Sequence, residues 1–168
     1  MWALPPELWP KIVVLTVKDF DNDRGHWGLK IGHTYKLMGD TMRARMYGDS
    51  ARAAFEAQLR DFPDRAQLRE LVARALALGG HKREAILEAD SALKVRETTA
   101  DASIRSYIRF QAARVRIQSG DYERALDLIE TLVTAPASDV TPAYLRIDPS
   151  FAPLRGNPRF EKIVAEKK

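Results

Sequence analysis

The chain has 168 residues and a mass of 19.0 kDa; 45% of it is hydrophobic and 30% charged, enough apolar material for a core, which excludes disorder over the whole length. The absence of cysteine excludes disulfides, thiol nucleophiles and cysteine-ligated zinc or iron–sulfur centres. A net charge of +4 permits anionic partners without demanding them, and the longest aliphatic run, Ile12 to Val17, falls far short of the roughly 20 residues of a membrane span, so no membrane insertion is expected.

Residues 1–25 form a lead-in segment. Leu4-Pro5-Pro6-Glu7-Leu8-Trp9 can open a helix, and Pro10 either breaks it or begins another. Ile12-Val13-Val14 has a strand's β-branched bias, yet a lone strand among helices has nothing to pair with, so helix or irregular structure is expected. A start so near apolar residues points to a segment cut from a longer polypeptide, with Met1 added for expression. Asp19-Phe20-Asp21-Asn22-Asp23 alternates acids as a calcium loop does. Arg24 then stands where the sharp-turn glycine belongs and Lys30 where the bidentate glutamate belongs, so a turn and helix cap before Trp27 is expected instead. His26 and His33 share a spacing of seven but lack a third ligand, so no metal site is expected.

Residues 26–135 carry one pattern three times. Gly39-Asp40-Thr41-Met42-Arg43-Ala44, Gly80-His81-Lys82-Arg83-Glu84-Ala85 and Gly120-Asp121-Tyr122-Glu123-Arg124-Ala125 place their glycines 41 and then 40 residues apart. Each copy lies between stretches of helical periodicity, such as Leu71, Val72, Ala75 and Leu76 before the second and Ile86, Ala89 and Leu93 after it. The glycine ends one helix in the left-handed conformation, Asp40 and Asp121 cap the next, and the alanine lets the pair approach closely. Three helical hairpins are predicted.

These residues resemble the tetratricopeptide repeat, a helical hairpin of nominal 34-residue period. Gly32, Tyr35, Gly39 and Ala44 match its spacing in unit one, Ala73, Leu76, Gly80, Ala85, Ala92 and Leu93 in unit two, and Ala113, Gly120 and Ala125 in unit three. Pro63 precedes Gly80 by the family's 17 residues but follows Gly39 by 24, which assigns about two extra turns to the second helix of unit one. Between units two and three the surplus falls in Arg96 to Ala102. Arg69, Arg109 and Arg116 replace large apolar residues that the family often uses.

Residues 136–168 read as a carboxyl-terminal cap. Tyr144 to Phe160 resembles an ending found in bacterial multidomain regulators, where such repeats follow a serine/threonine kinase, nucleotide cyclase or DNA-binding activator domain. Asp148-Pro149 and Asn157-Pro158 each place a cap residue before a first-turn proline. Phe151, Leu154, Phe160, Ile163 and Val164 would cover the last hairpin, which has no further neighbour. The expected architecture is a single all-α domain over 1–168, a right-handed superhelical stack of three hairpins with this cap.

No nucleophile elbow and no phosphate-cradling glycine loop is present, so neither catalysis nor a cofactor is expected. In the family the first helix of each hairpin lines the concave surface. The resemblance carries that surface onto Leu29, His33 and Lys36, then Glu70 and Arg74, then Tyr107, Phe110 and Arg114. The lysine/asparagine set by which some members clamp a carboxyl-terminal peptide is not reproduced. The expected function is a non-catalytic protein interaction scaffold, the docking or sensory part of a larger bacterial signalling protein, taking a peptide or protein segment of acidic character through Arg74, Arg114 and aromatics. Arg74→Glu with Arg114→Glu is expected to abolish binding without unfolding the chain. Tyr107 and Phe110 are alternatively core residues. Arg105, Arg109, Arg114 and Arg116, on a helix segment without acids, offer a rival reading as a nucleic-acid surface, disfavoured for want of a recognition motif. A purely structural role, including a homodimer, is the other rival. The cytoplasm is slightly favoured over the periplasm.

Overall fold

The structure, a computed structural model, describes residues 5–95, 100–135 and 138–165, and among these every regular element is helical. The lead-in is a 3-10 turn at Pro6–Leu8, the short helix α1 at Trp9–Ile12 and a second 3-10 turn at Val17–Phe20. Pro10 lies in the first turn of α1, where a missing N–H costs nothing, so it opens this helix rather than breaking one. Val13 ends α1 and no strand forms there. Asp19 accepts from the Thr16 amide at 2.7 Å and its hydroxyl at 2.8 Å, and Asp23 caps the next helix by accepting from the His26 amide at 2.9 Å. The acids of this segment therefore work as caps.

Six helices follow: α2 (Arg24–Leu37), α3 (Thr41–Asp61), α4 (Ala66–Gly79), α5 (Lys82–Lys94), α6 (Ala102–Ser119) and α7 (Tyr122–Thr134). The turn glycines Gly39, Gly80 and Gly120 have φ of 83°, 92° and 88°, the left-handed conformation that only glycine adopts without strain. The alanines five positions on, Ala44, Ala85 and Ala125, are all buried. Across α2 and α3 the close neighbours are Gly25 with Phe55, Gly28 with Ala51 and Gly32 with Tyr47, a series that ascends one helix while descending the other. The pair is an antiparallel hairpin. Each helix packs on the next, and α4 also packs on α6. The additional turns fall in α3, which has 21 residues against 13 in α5 and 13 in α7. Of the surplus connection before α6, residues 96–99 lie outside the described residues, and Asp101 caps α6 by accepting from the Ser103 and Ile104 amides.

Asp40 caps α3 as its place in the repeat requires, accepting from the Arg43 amide at 2.9 Å. Asp121 departs from that pattern. It occupies the cap position of α7, but its carboxylate accepts instead from Arg116, whose guanidinium also reaches Asp90. Arg69 likewise pairs with Glu88 at 2.8 Å, so two of the arginines standing at apolar positions of the repeat tie neighbouring helices by charge.

The tail holds α8 (Pro142–Ile147), a 3-10 segment at Pro149–Leu154 and α9 (Pro158–Val164). Asp148 accepts from the Ser150 amide and Asn157 from the Arg159 amide, each in front of its proline. Phe151, Leu154, Phe160 and Val164 form one buried cluster with Ile117, Leu126, Ile129 and Leu145, with Ile163 packed against it. A second cluster, built around Phe55, Leu71, Val72, Leu76 and Val115, joins α2 to α6. Among the described residues, no helix is long and apolar enough to cross a membrane.

Candidate functional site

Helices α2, α4 and α6 each turn one face to a common cavity of about 780 Å³. On α2 the face is His26, Leu29, Lys30, His33, Lys36 and Leu37, each three or four residues from another of the set so that the side chains lie along one side. On α4 it is Gln67, Leu71, Arg74 and Leu78, and on α6 Tyr107, Arg114 and Gln118. Phe20 of the lead-in borders the α2 end of this row, and Pro149, Ser150 and Pro153 of the cap border the α6 end. None of the lining residues comes from α3, α5 or α7. The hairpins thus present their first helices to the cavity and their second helices away from it.

Lys30, Lys36, Arg74 and Arg114 make this cavity cationic. Arg74 donates to Glu70 at 3.2 Å, one turn back on α4, and Tyr107 reaches the same carboxylate at 3.5 Å. Glu70 is only 2% exposed, and burial raises its pKa against the pull of Arg74. The Tyr107 phenol is raised too, by burial first and by the Glu70 charge second. Arg114 donates to the Ser150 hydroxyl at 2.7 Å, stands 3.8 Å from the fully buried Asp148 carboxylate, and lies 5.6 Å from the centre of the Phe110 ring.

The two lysines differ from the arginines. Both are solvent-accessible, but the concave surroundings displace enough water to lower their ammonium pKa, and Arg74 adds to the effect at Lys30. Among the described residues no carboxylate pairs with either. His33 sits between them on α2. Burial, then repulsion from Arg114, Arg74, Lys36 and Lys30, brings its pKa down to about 3. The imidazole is therefore neutral at physiological pH, and among the described residues its buried Nδ1 has no hydrogen-bond partner.

Of the eight residues expected at the concave surface, Leu29, His33, Lys36, Arg74, Tyr107 and Arg114 line the cavity. Glu70 lies beneath the wall as the counter-ion of Arg74. Phe110 belongs elsewhere: it packs on Tyr144 and Phe151 in the cap cluster, with the Arg114 guanidinium against its ring. Sequence reasoning missed Lys30 and Gln118, although each stands three or four residues from an expected position on the same helix. It also missed Phe20 and Ser150, which arrive from outside the repeats and leave no periodic signal. The arginine stripe of α6 is divided. Arg114 faces the cavity, while Arg116, 7% exposed, is held by Asp90 and Asp121 and presents no free charge to a nucleic acid.

Cations supplied from three helices, a neutral imidazole and an apolar wall of Leu29, Leu71 and Leu78 suit capture of an anionic group with attached carbon. No protein-family model, curated protein or solved structure matches this chain.

Proposed function

We propose that the chain is a tetratricopeptide-like array, wound as a right-handed superhelix, that acts as a non-catalytic docking module of a larger bacterial signalling protein and holds an acidic partner segment against α2, α4 and α6. The turn glycines, the buried alanines and the antiparallel α2–α3 hairpin support the family reading. The observation that carries the docking reading is the pair Lys30 and Lys36, which among the described residues have no carboxylate partner, beside Arg74 and Arg114 in one cavity. Like charges held together in a concavity repel each other, and an anion relieves that repulsion while forming charge-assisted hydrogen bonds.

The geometry also decides how to test it. Arg74→Glu would set a second carboxylate beside buried Glu70, and Arg114→Glu would do the same beside buried Asp148. Leaving such charges unpaired costs about 3–5 kcal/mol each, so in this double variant a loss of binding would be confounded with a loss of stability. Lys30→Glu with Lys36→Glu reverses the same field without orphaning a carboxylate. Fluorescence anisotropy with a fluorescein-labelled decaglutamate peptide should show binding that weakens with salt and is lost in the lysine double variant. Equal binding by the folded variant would take the cavity out of consideration.

A further inference from the structure

Resting on that reading of the cavity, we propose that the group it recognises is a single dianion, a phosphate monoester carried by the partner segment, rather than a carboxylate.

The charge inventory points there. Lys30, Lys36, Arg74 and Arg114 contribute four positive charges, Glu70 and Asp148 two negative ones, and four less two leaves two positive charges uncompensated. One carboxylate would leave half of that surplus in place. A phosphate monoester carries about −1.5 to −2 at pH 7 with three strong acceptor oxygens. Its charge sits on one centre, and the cations likewise converge from three different helices rather than running along one.

The available donors agree with this. Among the described residues both ammoniums are free of carboxylates, and Arg74 meets Glu70 through one terminal nitrogen, leaving the other. His33, neutral and lining the same cavity, adds no charge that would oppose an anion. Phe20 borders the row of helices beyond α2, and Pro149, Ser150 and Pro153 border it beyond α6, so the cations face one bounded concavity that a single phosphorylated side chain can enter with its backbone outside.

Isothermal titration calorimetry on the full chain tests the inference with four probes: N-acetyl-O-phosphoserine amide, N-acetyl-aspartate amide, inorganic phosphate and decaglutamate. The phosphoserine probe should bind at least about tenfold more tightly than the aspartate probe, since one further charge-assisted hydrogen bond is worth about 1.5–3 kcal/mol. Lys30→Gln and Lys36→Gln, with folding checked by circular dichroism, should each weaken it by a similar factor. Affinity should rise between pH 5 and 7 as the phosphate loses its second proton, whose pKa is about 6. Equal binding of the aspartate and phosphoserine probes would overturn the dianion while leaving acidic docking intact. Inorganic phosphate binding as tightly as the phosphoserine probe would overturn the partner-borne source. Insensitivity to both lysine variants would remove the site, and no binding of any probe, decaglutamate included, would defeat the docking reading together with this one.

Discussion

Replacing Gly48 with alanine probes the packing on which the cavity depends. Gly48 lies inside α3 where that helix meets α4, and a β-carbon there would come 2.6 Å from the Gly79 nitrogen, 2.9 Å from the Leu78 carbonyl carbon and 3.1 Å from the Ala75 oxygen. All three are backbone atoms, so no side chain can rotate away and the helices must separate. Alanine gains about 1 kcal/mol over glycine from helix propensity. Forcing a methyl into a packed contact costs about 1–3 kcal/mol, and a backbone-to-backbone contact belongs at or above the top of that range. The net expectation is a loss of about 2 kcal/mol or more, or at least about 4–8 °C in Tm for a chain of this size. Urea denaturation with an unchanged m-value, alongside a thermal melt, would read it. A Gly48→Ala protein as stable as the parent, or more so, would refute the close approach of α3 to α4.

Two further outcomes are expected. Arg116→Ala should destabilise the chain by about 1–3 kcal/mol in urea, less than for a fully buried pair because water can reach Asp90 and Asp121 once the guanidinium is gone; Arg159, exposed and surrounded by exposed Glu123, Asp127 and Glu130, should matter much less despite its additional contacts. Acid should also weaken the fold through His33: an unfolded histidine takes up its proton near pH 6.5, whereas the folded one resists until about pH 3, so this stabilising contribution is present above 6.5 and lost as pH falls across that window. Glu70, raised by burial, acts in the opposite sense, because the folded state keeps its proton to higher pH than the unfolded state. His33→Asn should therefore lose less stability between pH 6.5 and 4.5 than the parent, and an unchanged loss would contradict the burial of that ring.

The helical hairpins were legible because their signals are local. A left-handed turn favours glycine and a close helix crossing favours alanine, so Gly39, Gly80, Gly120 and their alanines carry the period openly. The 24-residue gap from Gly39 to Pro63 foretold the length of α3 for the same reason. Long-range competition was not legible. Asp40 and Asp121 occupy equivalent places, yet Asp121 is drawn from its cap by Arg116, which also contacts Asp90 of another helix. Phe110 has the spacing of a cavity residue but finds Tyr144 and Phe151, more than 30 residues downstream. Gly48 looks like an ordinary flaw in a helix until α4 is beside it. Lys30 could have been found from the α2 periodicity alone; the concave positions borrowed from the resemblance did not include it.

The docking proposal is tested most directly by an amide and side-chain NMR titration of the full chain with decaglutamate. Shifts concentrated at Lys30, His33, Lys36, Arg74 and Arg114 on α2, α4 and α6 are predicted. Shifts gathered instead on α3, α5 and α7, the helices that contribute nothing to the cavity, would contradict it.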